Sequence, residues 1–206
     1  MNILKHKQNG FFVEIGSNHP ININNSYLLE TSYNWKGIMV ENDPEFLPSY
    51  IEHRPNSIHI IQDATTIDYK ELFQMKDVPL QLDYLQIDLE VINGSTIQTL
   101  EKLNNEVLDM YTFATVTFEH DIYRGDLFNT RMRSRQIFED RGYVCVFKDI
   151  HNEDPVYVYE DWYVHPSLVD MSYVNSLISM NSAKYINNQF TEQSIDWKDI
   201  VYPDGI

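Results

Sequence analysis

Five carboxylates, on Glu14, Glu41, Asp63, Asp88 and Glu119, stand at or just past the ends of short apolar runs. A carboxylate in such a place can do several kinds of chemistry. It can accept both hydroxyls of a ribose, which suits Glu41, or the amino group of an adenine, which suits Asp63. If burial lifts its pKa, it can take a proton from a hydroxyl. The first run, FVEIGSNHP, enters a turn at Gly16, where a backbone can come close to a ligand. Glu14 and Asn18 place an acceptor and an amide beside that turn. His120 follows Glu119 and has the unperturbed pKa of a base that works near neutrality.

The elements that must position these groups alternate along the chain. Apolar runs at 11–15, 37–40, 57–61, 82–87 and 113–118 read as strands. Between them, helical patterns cover about 26–33 with Ser26 as cap, 44–54 opened by Pro44, 68–76, 95–103 and 129–141. Strands alternating with helices imply an α/β fold, a parallel sheet with helices on both faces. Ligands of such a sheet bind outside the carboxyl ends of its strands, where the five acids fall. The runs 143–147 and 156–159, around the polar turn 151–154, read as a C-terminal antiparallel hairpin. One domain is expected over residues 1–180, with 181–206 as a packed arm or frayed tail.

Charge narrows the partners. The chain has 206 residues, with 15 Lys and Arg against 31 Asp and Glu, a net charge of -16. Such a field repels phosphate backbones and anionic membrane surfaces, so no nucleic-acid partner is expected. There is no apolar run of about 18 residues, so no membrane span is expected. The start, MNILKHKQNG, lacks the apolar core of a signal peptide, and the lone Cys145 points to no oxidising compartment. The simplest reading is a cytoplasmic protein, with Cys145, Met39, Met75 and Met110 as core filler. The arginines 131, 133, 135 and 141 are expected on a solvated helix face, paired with Glu139 and Asp140.

Neither GxGxxG nor a P-loop follows the first strand, so the ligand should carry little phosphate. Glu14, Glu41 and Asp63 together describe an adenosine with a cationic tail, which fits S-adenosylmethionine. Methyl transfer to a hydroxyl then needs the acceptor oxygen, carbon and sulfur nearly in line, with a base or a metal to remove the proton. Candidates for the base are Asp88, Glu90, Glu119 and His120. Asp88, Glu119 and His120 could instead converge on Mg or Mn. The bland alternative for His120 is a hydrogen bond to a neighbouring acid. Tyr123, Arg124, Trp162 and His165 are expected in loops after strands, where aromatic faces and a guanidinium could hold a sugar. Trp162 could equally pack in the core.

Several segments carry a resemblance: FFVEIGSNHP with NNSYLLE, NWKGIMVENDPEF, LDYLQIDLE, TFEHDIYR and YEDWYVHP. In this order, over about residues 10–166, the chain resembles the FkbM-type S-adenosylmethionine-dependent methyltransferases. The resemblance implies a Rossmann-like, mostly parallel seven-stranded sheet and methyl transfer to oxygen, often on a sugar. It implies a cofactor loop at Glu14, Gly16, Ser17 and Asn18, a ribose acid at Glu41, and adenine-side residues at Asp63 and Ala64. Ser26, Asn42 and Asp88 complete the expected cofactor contacts. Two glycines common in the family are missing, at Val91 and after Asn18, where His19 and Pro20 stand. The segment is also similar to a methyltransferase domain of glycan-building proteins of large algal viruses that act on rhamnose. By that likeness the chain would be one domain of a larger glycan-modifying protein, working in a host cytoplasm on a carbohydrate acceptor. Competing readings are a methyltransferase for another small molecule or a protein side chain, and a non-catalytic nucleoside-binding module. A nicotinamide oxidoreductase is disfavoured by the missing GxGxxG and the lack of a Tyr-x-x-x-Lys pair.

Overall fold

A computed structural model of the chain describes residues 2–151 and 156–186. The strands are β1 (Phe11–Ile15), β2 (Lys36–Glu41), β3 (Ile58–Ile61), β4 (Gln81–Ile87), β5 (Thr112–Glu119), β6 (Val144–His151) and β7 (Val158–Val164). They form one sheet in the order β3-β2-β1-β4-β5-β7-β6. β1 to β5 are parallel, and β7 runs antiparallel to both β5 and β6. All five residues of β1 are buried, as its central place in a two-sided sheet requires. Each large apolar side chain so buried contributes roughly 1.5–3 kcal/mol.

Helices α1 (Tyr27–Tyr33), α2 (Leu47–His53), α3 (Tyr69–Met75), α4 (Ser95–Glu106), α5 (Phe128–Asp140) and α6 (Met171–Ile186) cover both faces. On one face Tyr69 and Phe73 of α3, Leu100 and Leu103 of α4, and Ile137 and Phe138 of α5 pack on Val13, Ile15, Leu85 and Phe118. On the other, Leu29 of α1 and Tyr50 of α2 pack on Phe12 and Met39, and Val174 and Leu177 of α6 pack on Phe147 and Val164. α1 stops at Asn34, whose left-handed backbone (φ 55°) lets its N–H reach Leu29 O.

Some expectations shift. β7 starts later and runs longer than the pattern at 156–159 suggests, so Trp162 lies inside a strand and not in a loop. Residues 152–154 of the expected hairpin turn lie outside the described residues, as does the expected arm from 187. Met75 and Met110 are exposed, whereas Met39 is core. The arginines of α5 bypass Glu139 and Asp140. Arg131 and Arg135 bind Asp149, Arg135 also binds Asp161, and Arg133 binds Glu101. They clamp α5 to β6, β7 and α4.

Candidate active site

The strand order reverses between β1 and β4, which makes that crevice the expected ligand position. The chain leaves β1 at Gly16 with φ +88°, and a Cβ there would lie 1.7 Å from the Asp88 carbonyl oxygen. Only glycine fits this close crossing of two backbones. The Gly16 and Ser17 N–H groups donate to Val40 O at 2.9 and 3.1 Å, which ties the turn to the end of β2. One residue on, Asn18 N–H donates to Glu41 Oε2 at 2.8 Å. Glu41 Oε1 accepts from the N–H groups of Asn42 and Asp43 at 2.8 and 2.9 Å. Three backbone donors therefore fix this carboxylate, and Oε2 keeps a lone pair for a further donor. Tyr50 OH donates to Asn18 O and holds the turn from α2.

Glu14 lies beneath this rim, fully buried in β1. It accepts from Ser26 Oγ at 2.6 Å and Asn24 Nδ2 at 3.1 Å. Ser26 stands at the α1 cap position, but its hydroxyl serves Glu14 and makes no cap bond. Arg54, also fully buried, binds Ser26 Oγ, Asn24 Oδ1 and Glu30 Oε2 at 2.7, 2.7 and 2.8 Å. Burial pushes the Glu14 carboxyl up to about 7, against the pull of Ser26 and Arg54. Across the rim, Asp63 is exposed, and the hydroxyl and N–H of Thr65 hold its carboxyl below the usual range. Ala64 beside it is buried, and Asn42 is exposed.

A second group of acids lines the β4, β5 and β7 side. Burial, then the nearby Asp121 charge, pushes Asp88 up to about 6. Burial also raises Asp121, whose Oδ1 has no hydrogen-bond partner among the described residues. Glu119 pairs in register with Glu160 of β7. Asp88 follows Ile87, the partner of Phe118, so Asp88, Glu119 and Glu160 form one row across three strands. Glu160 is pushed up to about 7 by burial and by the charges of Asp88 and Asp161, although its Oε1 accepts Trp162 Nε1–H at 2.6 Å. Glu90 and Arg124 pair at 3.0 Å at the exposed edge, and Arg124 also reaches Asp121 Oδ2 at 3.1 Å. The Ile92 N–H and Arg124 lower the Glu90 carboxyl. Tyr123 is exposed, edge-on to Tyr157 at 5.4 Å.

Of the other expected site residues, Trp162 joins this group through Glu160, and His120 and His165 do not. His120 is completely buried, and its Nε2 lies 3.5 Å from Asp161 Oδ1 and 3.9 Å from Asp149 Oδ1. Glu119 ends β5 opposite Glu160, whereas His120, just past the strand, turns to Asp161 and Asp149. Asp88, Glu119 and His120 accordingly do not converge as a metal site. Among the described residues, the one trio with ligand atoms within 4.8 Å is His120, Asp149 and Asp161. Arg131 and Arg135 already neutralise those two carboxylates. Burial would raise Asp161, but His120 and Arg135 hold it far below the usual range. Trp162 stands edge-on to Phe147 with its N–H on Glu160. His165 lies at the opposite edge of the sheet, its N–H on Ala114 O, because β7 is antiparallel and its end points away from the acids.

Glu160, Asp121 and Arg54 are the groups that motif reasoning missed. Glu160 sits in the quoted segment YEDWYVHP, and the Glu-x-Trp alternation, which puts both side chains on one face, was the available signal.

No family model and no curated protein sequence matches the chain. Solved structures do. An rRNA-methylase candidate from Clostridium thermocellum superposes with a TM-score of 0.51 at 12% identity, over 79% of this chain and 90% of that one. The small RNA methyltransferase HEN1 gives a TM-score of 0.52 at 8% identity, over 78% of this chain and 24% of that longer one. The chain has the Rossmann-like methyltransferase fold. The fibrillarin pre-rRNA processing protein of Methanococcus jannaschii shares it too, with a TM-score of 0.51 at 10% identity, over 78% of this chain and 68% of that one. Within the methyltransferase fold, Gly16 and Asp88 stand at the switch point, and Glu41 and Asp63 flank it on the β2 and β3 side.

Proposed function

We propose that the chain is an S-adenosylmethionine-dependent O-methyltransferase of the FkbM type that acts on a sugar hydroxyl. The observation that carries this reading is the Glu41 carboxylate, fixed by three backbone N–H groups beside the Gly16 turn on a methyltransferase fold. Glu41 would accept the ribose hydroxyls, Asp63 and Ala64 would border the adenine, and the 16–18 turn with Asp88 would face the amino-acid end. When bound there, the cofactor supplies an electrophilic methyl group. The residues have to hold the acceptor in line, exclude water and remove a proton. Tyr123 and Arg124, at the exposed edge beside Asp121 and Glu90, would receive a sugar ring and its hydroxyls. The proposal takes residues 1–180 as the methyltransferase domain, in the cytoplasm of a cell or virus host, modifying a glycan such as one bearing rhamnose.

An RNA acceptor is the second reading, favoured by the names of the structural neighbours. The rim opposes it: Asp88, Glu90, Glu119, Asp121 and Glu160 outweigh Arg124 and would repel a phosphate backbone. Calorimetric titration with S-adenosylhomocysteine beside NAD tests the class, with micromolar binding of the first alone expected. Binding of NAD alone would end the proposal. Methyl transfer to RNA but not to glycosides would move it to the second reading.

A further inference from the structure

Removal of the acceptor's proton has no owner among the residues the sequence motifs single out. His120 is enclosed between Asp149 and Asp161, and Glu90 is held by Arg124. Asp88 follows β4 beside the Gly16 turn, its N–H on Ile15 O, where the reading above gives its charge to an ammonium. On the acceptor side the row Asp88, Glu119, Glu160 ends in a carboxylate built differently from its neighbours. Trp162, two residues along β7 and on the same face, donates its indole N–H to Glu160 Oε1 at 2.6 Å. That bond holds the rotamer and leaves Oε2, which has no hydrogen-bond partner among the described residues. Phe147 in turn fixes the indole by an edge-on contact at 5.6 Å.

We infer that Glu160 is the general base of the transfer and that Trp162 is the residue that positions it. This rests on the methyltransferase reading above. As the acceptor oxygen bonds to the methyl carbon, the carbon–sulfur bond breaks and its electron pair stays on sulfur. The hydroxyl proton passes to Glu160 Oε2 and later to solvent. The sulfonium's positive charge and the carboxylate's negative charge disappear together, so the products are neutral at both centres. The charged groups acting on Glu160 are Asp88 across the sheet and Asp161 on its own strand, with Glu119 opposite it on β5. Burial and these charges bring its pKa to about 7, where a base is effective near neutrality.

The test compares wild type with Glu160→Gln, Glu160→Asp and Trp162→Phe. The probes are S-adenosylhomocysteine for binding and a panel of methyl glycosides, including the rhamnoside, for transfer. Glu160→Gln should bind S-adenosylhomocysteine within about twofold of wild type and lose roughly 100-fold or more in kcat. Glu160→Asp should recover part of that loss. Trp162→Phe removes a bond to the ionised form, so the acidic limb of its pH–rate profile should move to higher pH. In carboxyl-labelled wild type, a glutamate resonance should titrate near neutrality and be missing from Glu160→Gln. If Glu160→Gln fails to fold, the limb shift in Trp162→Phe and the rate of Glu160→Asp decide. Unchanged kcat in Glu160→Gln, or loss of S-adenosylhomocysteine binding in step with kcat, would overturn the assignment and leave the methyltransferase reading standing. Wild type that binds no S-adenosylhomocysteine would overturn that reading itself. Wild type that binds it and methylates no glycoside would overturn the sugar acceptor, and Glu160 as its base.

Discussion

Asn18 N–H and Glu41 Oε2 lie 2.8 Å apart, so the turn after β1 and the acid after β2 form a single unit. Glu41→Ala removes the proposed ribose acceptor and frees three N–H groups together. S-adenosylhomocysteine affinity should fall by about 1–3 kcal/mol, the usual loss for a charge-assisted bond. Calorimetry checks this, and an unchanged affinity would place the ribose elsewhere.

Gly16→Ala puts a methyl group against the Asp88 carbonyl in a left-handed conformation. The conformation alone costs roughly 1–2 kcal/mol, and the clash with rigid backbone adds to it. The urea midpoint should drop by the equivalent of about 3 kcal/mol or more, with cofactor binding lost. Tolerance of alanine would mean that β1 and β4 separate easily at the switch point.

Glu14 gives stability a pH dependence of known sign. Its pKa of about 7 in the folded chain exceeds the ordinary 4.5, so the native state holds the proton more tightly than the unfolded chain does. Stability from this group is therefore full below about 4.5, declines as pH rises towards 7 and is flat above that. The shift corresponds to about 3 kcal/mol. Glu14→Gln should flatten this part of the curve when urea midpoints are compared from pH 4.5 to 8. Parallel curves for variant and wild type would contradict the buried carboxyl.

Arg54 and Glu30 form a fully buried ion pair at 2.8 Å. Arg54→Met alone strands the Glu30 carboxylate and should cost about 3–5 kcal/mol. The double variant with Glu30→Leu should recover a substantial part. Denaturant unfolding of the four-member cycle measures the coupling, and additive effects would show that the pair does not act as a unit.

The rim acids could be read from the sequence because each follows a short run rich in apolar residues, uninterrupted before Glu41 and broken only by His59 and Gln62 before Asp63 and by Asp83 and Gln86 before Asp88, and such runs are what buried parallel strands look like. Glu41, Asp63 and Asp88 were visible for that reason. The hairpin was harder. Its second strand carries Glu160, Asp161 and Trp162 in an alternation that fixes neither start nor direction, and reversal of β7 sends Glu160 to the acids and His165 to the far edge. His120 misleads because it sits beside Glu119 in sequence, while the chain, leaving β5 there, buries its ring against Asp161. Arg54, just before Pro55, reads only as the end of a helix; its burial depends on Glu30, 24 positions earlier, a pairing that no local pattern reports.

The line from Glu14 through Ser26 and Arg54 to Glu30 anchors both ends of the stretch between β1 and α1, which carries the turn proposed to meet the cofactor. That stretch is therefore in place before any visitor arrives. Little ordering remains for the encounter itself, so association should run as one fast step, without a slow rearrangement behind it.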